Sequence, residues 1–116
     1  MTKKRILINV TLDESRFPTD IEWEAEDGGL EGVTACRAMI LALWDHQKKD
    51  TLRLDLWTKD MTVDEMKIFF HETLLSMADT LQRSTTDERI AGDMRDFCDY
   101  FAQKMEIAPK NPDSLI

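Results

Sequence analysis

The chain has 116 residues, of which 42% are hydrophobic and 33% are charged. This length and balance are typical of one globular domain and exclude a disordered chain. Fifteen basic and 23 acidic residues give a formal charge of −8. Because such a surface repels nucleic-acid backbones and anionic membranes at long range, the composition argues against both as partners. A protein partner would be expected to present a basic surface.

The N-terminal segment lacks the features of a secretory leader. Three basic residues at positions 3–5 precede a short apolar segment, but Asn9 and Thr11 interrupt it before it reaches the length of a signal peptide. The longest apolar run, residues 38–44, has seven residues and is far too short to span a membrane. The sequence therefore predicts a cytoplasmic protein that does not insert into a membrane.

Two strands are predicted at the start of the chain. Residues 6–12 and 20–26 each alternate between apolar and polar side chains, which is the period of a half-buried strand. The second strand would turn Ile21 and Trp23 inward. Its outward side chains are Glu22, Glu24 and Glu26. The sequence Asp27-Gly28-Gly29 is predicted to end this strand, because glycine readily adopts a positive φ.

A helix is predicted next, over residues 33–47. Its apolar side chains recur at helical spacing and would form one stripe: Cys36, Met39, Ile40, Leu43 and Trp44. A third strand is predicted over residues 51–58, again from alternation. Its inward side chains are Leu52, Leu54 and Leu56. Its outward side chains are Arg53, Asp55 and Trp57.

Two longer helices complete the predicted fold, over residues 62–83 and 87–107. The first opens with Thr62 and Glu65 at the spacing of a capping box, in which each side chain satisfies a free backbone N–H. The second carries Phe97 in its apolar stripe, as a predicted core residue. Because the connection between these helices is short, they are expected to be antiparallel neighbours.

The predicted element order is therefore β-β-α-β-α-α. Each strand has one polar face, which predicts a two-layer α+β fold with a three-stranded sheet and three helices packed on one face. A right-handed crossover through the first helix would give the strand order 2-1-3. Residues 1–107 are predicted to form a single domain. Residues 108–116 are predicted to form a flexible C-terminal tail, since they show no periodicity.

No catalytic motif is recognisable in the sequence. His71-Glu72 begins like the zinc-protease motif H-E-x-x-H, but Leu75 occupies the position of the second histidine. Cys36 and Cys98 lack the paired spacing of a metal site or a disulfide framework, and they are predicted to be buried, reduced thiols. The sequence thus predicts no catalytic, cofactor or metal site, and a protein that is not an enzyme.

One predicted surface is a candidate for protein binding. Trp57 lies on the polar side of the third strand with Arg53 and Asp55, and tryptophan and arginine are enriched at binding hot spots. Glu22 and Glu24 extend this surface on the second strand. The competing interpretations are that Trp57 only covers the sheet edge, and that the glutamates form a solvated strand that resists aggregation.

Segments along most of the chain resemble one known family. They are residues 21–23, 27–29, 43–45, 50–61, 63–67, 69–71, 76–80 and 94–101. Together they are similar to the gliding-motility protein GldC family of Bacteroidota, over about residues 6–107. The resemblance implies an accessory cytoplasmic protein that supports gliding over surfaces. It also implies no assigned catalytic activity and no active-site residues to transfer.

Two hypotheses about function follow. The first is an interaction protein without catalysis of its own, which holds an unknown protein of the motility apparatus, or a copy of itself, on the open sheet face. The second is a small-molecule-binding protein or enzyme with a pocket between sheet and helices. The first is favoured, because the predicted inward positions are almost entirely apolar and a ligand pocket needs several polar groups.

Overall fold

The computed structural model describes residues 1–26 and 32–108 of the chain. The chain divides into two compact units, Met1–Met61 and Thr62–Ile116, called here the sheet unit and the helical unit. The sequence Asp27-Gly28-Gly29, which is predicted to end the second strand, lies outside the described residues. So does the predicted tail, apart from Ala108.

The sheet unit contains five strands among its described residues. In chain order they are β1 (Ile6–Leu12), β2 (Pro18–Ala25), β3 (Thr34–Cys36), β4 (Ala38–Asp45) and β5 (Asp50–Trp57). The first three form an antiparallel sheet in the order β1-β2-β3, and β4 and β5 form a second, two-stranded antiparallel sheet. Each strand therefore pairs only with its neighbours in the chain.

The register of β1 and β2 places apolar side chains of β1 opposite the predicted inward side chains of β2. Val10 lies opposite Ile21 and Ile8 lies opposite Trp23. Ile21 is 1% exposed, which makes it the best-buried apolar side chain among the described residues of the sheet unit. The alternation in residues 6–12 and 20–26 therefore predicted these two strands and the inward position of Ile21 correctly, whereas Ile6 at the start of β1 is 70% exposed.

Asp13 organises the turn between β1 and β2. Its Oδ1 accepts hydrogen bonds from the N–H of Ser15 at 2.8 Å and from the N–H of Phe17 at 2.9 Å. Its Oδ2 pairs with the Nζ of Lys59, a residue that follows β5. The hydrogen bond from Lys59, together with those from the backbone, holds the pKa of Asp13 below its ordinary value of 3.8.

The helix predicted over residues 33–47 is wrong, because this segment forms β3 and β4. The two strands are separated at Arg37, whose carbonyl accepts a hydrogen bond from the N–H of Thr58 at 2.7 Å. Every residue from 38 to 44 is apolar. Such a run satisfies a helical spacing and a strand alternation equally, so periodicity alone does not distinguish them. Pairing along the whole of β5 gives the strand conformation.

The predicted strand order 2-1-3 and the packing of three helices on one three-stranded sheet are also wrong. The chain is α+β, but its described part has five strands in two small sheets and two helices. The predicted order assumed that a helix crosses over between parallel strands. Each observed strand pairs antiparallel with a strand next to it in the chain, so this pairing needs no crossover helix.

The helical unit contains α1 (Val63–Thr85) and α2 (Glu88–Lys104). The capping box is confirmed: the Oγ1 of Thr62 accepts from the N–H of Glu65, and the Oε1 of Glu65 accepts from the N–H of Thr62, both at 3.1 Å. The C-cap of α1 is Thr86, whose φ of 57° is left-handed. Asp87 then caps α2 by accepting a hydrogen bond from the N–H of Ile90 at 3.1 Å. The turn between the helices is therefore fully specified by local polar side chains.

Small residues allow α1 and α2 to pack closely. Over residues 62–108 the buried side chains are Ala78, Ala91 and Cys98. Beside them the Nη2 of Arg95 donates to the Oδ1 of Asp79 at 2.8 Å, and the ring of His71 stacks on Phe101 with centroids 6.3 Å apart. Phe97, predicted to be a core residue, is half exposed. The apolar stripe of α2 is therefore only partly covered within the described chain.

Candidate protein interface

The hairpin formed by β4 and β5 carries the candidate site, and Asp45 shapes its turn. The Oδ1 of Asp45 accepts hydrogen bonds from the N–H of Gln47 at 2.9 Å and from the N–H of Lys48 at 3.0 Å. Lys49 has a φ of 53°, and its N–H donates to the carbonyl of Asp45 at 2.9 Å. A turn of fixed geometry sets the register of a hairpin, and the register decides which side chains share a face.

The observed register divides the hairpin into two faces. The tryptophan face consists of Ala38, Ile40, Ala42, Trp44, Thr51, Arg53, Asp55 and Trp57. The leucine face consists of Met39, Leu41, Leu43, Leu52, Leu54 and Leu56. Because antiparallel sheets with one solvated face normally alternate apolar and polar residues, two faces rich in apolar side chains are unusual for a strand pair in water.

The tryptophan face presents two indole side chains to solvent. Trp44 is 65% exposed and Trp57 is 58% exposed. Trp57 lies opposite Ala38, and Trp44 is six positions further along β4, so the two indoles attach about 20 Å apart along the strands. Between them the Nη2 of Arg53 donates to the Oδ2 of Asp55 at 2.9 Å. The face therefore combines two aromatic anchors with a charged pair.

The leucine face is also open to solvent over much of its length. Leu43, Leu52 and Leu54 are each close to half exposed. The sequence correctly predicted that the leucines of β5 share a face, but the prediction that they point into a core is wrong. A contiguous apolar patch of this kind is typical of a surface that binds another protein.

The five predicted interface residues lie in two different sheets. Arg53, Asp55 and Trp57 occupy the same face of β5, as predicted. Glu22 and Glu24 belong to β2, in the three-stranded sheet, where they lie opposite residues of β1. The two groups therefore do not form one cluster on a single sheet.

Trp44 is a candidate interface residue that the sequence analysis does not identify. Helical spacing places Trp44 in the apolar stripe of the predicted helix, whereas the structure places it on the tryptophan face of β4. A strand reading of residues 38–44 would have put Ile40 and Trp44 on one face, but the sequence offered no reason to prefer that reading.

A family model for GldC-like gliding motility-associated proteins matches residues 18–107. The chain belongs to the GldC-like family. The matched region begins at the first residue of β2 and extends beyond the end of α2, so it includes both faces of the hairpin and the whole helix pair. No curated protein and no solved structure matches the chain.

The described part of this GldC-like chain contains no helix that is long and apolar enough to cross a membrane. It also contains no group of three or more His, Cys, Asp or Glu side chains arranged to hold a metal ion. Among the described residues each unit has more than one concave region, and the candidate ligand sites considered below are a cleft in the sheet unit and a groove in the helical unit.

The cleft in the sheet unit has a volume of about 200 Å³ and lies beside the break between β3 and β4. Its most buried polar side chain is Thr58, whose Oγ1 donates to the Oδ1 of Asp60 at 2.5 Å. This hydrogen bond, and then the positive charge of Arg37, lower the pKa of Asp60. The three residues bond to one another and close the end of the hairpin, which gives them a structural role.

The groove in the helical unit is open, has a volume of about 590 Å³ and runs along α1. Its lining residues are Phe69, Glu72, Thr73, Ser76, Met77, Thr80, Leu81, Ser84 and Met94. Glu72 is the one ionisable side chain among these residues. Four hydroxyl side chains line the same groove: Thr73, Ser76, Thr80 and Ser84.

The two cysteines of this GldC-like chain differ in burial. Cys98 is buried as predicted, whereas Cys36 lies on β3 and is only half-buried. Burial raises the pKa of both thiols, and the negative charge of Asp99 raises the pKa of Cys98 further. Since the thiolate is the reactive form, neither environment activates a cysteine as a nucleophile.

Proposed function

We propose that this GldC-like chain is an accessory component of a gliding-motility apparatus that acts in the cytoplasm by binding other proteins and catalyses no reaction. Membership of the GldC-like family supports the link to gliding. The exposed tryptophan face of the β4–β5 hairpin supports a binding role, and it is the observation that carries the proposal.

Two exposed tryptophans and an arginine on one face are the residue types that most often dominate binding energy. An indole that leaves water on binding gains a large apolar contact area at low conformational cost, and its N–H still finds a hydrogen-bond acceptor. Arg53 is held by Asp55 at 2.9 Å, which orients the guanidinium before a partner arrives. Truncation of such a residue typically weakens binding by roughly 2 kcal/mol or more, about thirtyfold.

The charge of the chain favours a partner with a basic surface. The formal charge is −8, and a surface of this sign attracts an oppositely charged protein and accelerates the encounter. Association should therefore become slower and weaker as salt concentration rises, because salt screens exposed charges beyond about 10 Å.

The proposal is tested by complementation in a gliding bacterium that lacks its own copy of the gene. The variants Trp44→Ala and Trp57→Ala should fail to restore spreading on a surface, and partner capture by cross-linking in living cells should be lost with them. Tyr100→Ala is the matched control, because Tyr100 is also an exposed aromatic residue but lies on α2. It should restore spreading fully.

Two outcomes decide against the interface. If both tryptophan variants restore spreading and capture the same proteins as wild type, the tryptophan face is only a solvated surface. If Glu72→Gln in the groove of α1 abolishes spreading while the tryptophan variants do not, a small-molecule-binding function is favoured instead.

A further inference from the structure

The outer edge of β5 is available for pairing with another strand. Among the described residues β5 pairs with β4 alone, in a two-stranded sheet. Seven of its eight residues are exposed, and the remaining one, Leu56, is only half-buried. An edge strand presents unpaired N–H and C=O groups, and an isolated two-stranded hairpin is marginally stable in water. Pairing with a further strand would therefore stabilise the hairpin.

The hairpin is electrically neutral in an otherwise acidic chain. Its three acidic residues, Asp45, Asp50 and Asp55, are matched by three basic residues, Lys48, Lys49 and Arg53. The whole net charge of −8 therefore lies outside residues 38–57. Two copies of this chain repel each other at long range, but the hairpin is a region where they can meet without a local excess of negative charge.

The centre of β5 is complementary to itself. Arg53 precedes Leu54 and Asp55 follows it, with a leucine on each side of this group. When such a strand pairs antiparallel with its own copy about Leu54, each Arg53 lies opposite an Asp55, and Leu52 lies opposite Leu56. Opposite charges at directly facing positions stabilise a strand pair, whereas like charges destabilise it.

We propose that two copies of the chain pair through the outer edges of their β5 strands, antiparallel, with Leu54 opposite Leu54 of the second copy. The contact is isologous, as in a two-fold dimer. It joins two hairpins into one four-stranded sheet with the strand order β4-β5-β5-β4. A sheet of three or more strands with an apolar face is the size that is stable on its own.

The side chains of β5 select this register over its neighbours. A shift that centres the pairing on Arg53 puts two arginines opposite each other, and one that centres it on Asp55 puts two aspartates opposite each other. If one strand slides by a single residue relative to the other, leucine-face side chains of one copy lie opposite tryptophan-face side chains of the second copy. Each side of the four-stranded sheet would then carry a mixture of the two faces. Only the register centred on Leu54 pairs opposite charges and keeps the leucines together.

The edge of β4 does not offer the same complementarity. Asp45 is its one charged residue, and it has no basic residue that could face an acidic one in a second copy. Three of its four residues nearest to β3 are also half-buried. The competing interpretation of β5 is that Arg53 and Asp55 are charges that protect the edge from aggregation. That interpretation predicts a chain that remains monomeric.

The pairing does not rest on the function proposed above, because it uses the backbone edge and not the tryptophan side chains. It does place the two tryptophan faces on the same side of one sheet. A dimer would then present two copies of Trp44 and two of Trp57 to a partner, and two linked sites bind more tightly than one.

Cysteine cross-linking of the full-length chain tests the register. Facing residues of antiparallel strands have Cα atoms about 4.5–5.5 Å apart, which is within the range that a disulfide spans. Leu54→Cys should therefore form a covalent dimer on mild oxidation. Leu52→Cys is the matched control, because Leu52 is on the same face and equally exposed, but in this register it is about 13 Å from its own copy. It should not cross-link, and neither should wild type with Cys36 and Cys98.

Charge exchange tests the same register without oxidation. Sedimentation from about 1 µM to about 1 mM should show a reversible dimer for wild type. Arg53→Asp and Asp55→Arg should each raise the dissociation constant by roughly tenfold or more, because like charges then face each other. An equimolar mixture of these two variants should recover wild-type affinity as a heterodimer. The double variant Arg53→Asp with Asp55→Arg should recover it as a homodimer.

Several results would overturn the proposal. They are a monomer at all concentrations, single variants that dimerise like wild type, a mixture that stays monomeric, and Leu52→Cys cross-linking as fast as Leu54→Cys. None of these results bears on partner capture through Trp44 and Trp57. Conversely, tryptophan variants that lose partner capture but still form the dimer leave the strand pairing intact, so the two proposals fail separately.

Discussion

Replacement of Ile21 by alanine tests where the sheet unit keeps its core. Ile21 is 1% exposed and lies in the middle strand of its sheet, opposite Val10 and Cys36. Ile21→Ala removes a fully buried side chain and leaves a cavity, so the free energy of unfolding should fall by about 2–5 kcal/mol. Leu54→Ala is the control, because Leu54 is 48% exposed. Burying a leucine side chain fully contributes roughly 1.5–3 kcal/mol. Leu54→Ala loses about half of this contribution and leaves no cavity, so the free energy of unfolding should fall by about 1 kcal/mol.

The distribution of chromophores makes this measurement specific to the sheet unit. All three tryptophans, Trp23, Trp44 and Trp57, belong to this unit, whereas both helices belong to the other. Denaturant unfolding followed by tryptophan fluorescence therefore reports the sheet unit, and far-ultraviolet circular dichroism is dominated by the helical unit. The protein concentration should be low enough to keep the chain monomeric. If Leu54→Ala destabilises the sheet unit as much as Ile21→Ala, the assignment of core and surface is wrong.

Two further predictions concern ionisable side chains. A bulky thiol reagent should label Cys98 much more slowly than Cys36, because Cys98 is buried; rapid labelling of a Cys36→Ser variant would contradict this. Asp13→Asn should lower the thermal midpoint at pH 7, since Lys59 holds the pKa of Asp13 below 3.8 in the folded chain. A carboxyl group whose pKa is lowered by folding stabilises the folded chain at pH values above its ordinary pKa. This stabilisation is lost as the pH falls through the pKa of the folded state. The difference in thermal midpoint between Asp13→Asn and wild type should therefore shrink below pH 3.8. The control is Glu14→Gln, at the next position in the chain, which should have the thermal midpoint of wild type at every pH. A difference that stays constant down to about pH 2 would refute the role of Asp13.

The sequence predicts correctly the elements whose apolar residues fit only one spacing, either the alternation of a strand or the period of a helix. Residues 6–12 alternate and have no helical stripe, so β1 follows from the sequence. α1 has helical spacing over six turns and a capping box at Thr62, and this combination has no strand counterpart. Residues 38–44 are apolar at every position, so they satisfy both periods. Their conformation depends on pairing with β5, which is tertiary information.

The candidate site was only partly predictable for a related reason. Alternation in β5 shows that Arg53, Asp55 and Trp57 share a face, and the structure places them together. Alternation does not show whether another element covers the opposite face of β5. Leu54 is expected to be buried only if a helix packs on that face, and in the structure it is 48% exposed. Trp44 could not be assigned to the tryptophan face until the strand β4 was known, because its partner Thr51 is defined by the hairpin register.

The failed helix prediction and the proposed binding role have one physical cause. A strand that buries one face and exposes the other to water alternates, and this alternation makes it recognisable in a sequence. β4 does not alternate, yet Ile40, Leu43 and Trp44 are exposed in the structure. Apolar residues on both faces of an exposed strand cost free energy in the isolated chain, and this cost is recovered only when other surfaces cover them. Sequence reasoning is expected to fail where function overrides the local rules of folding. In this chain it failed over residues 33–47, within which β4 supplies Trp44 to the tryptophan face and pairs with the β5 strand that we propose for self-association.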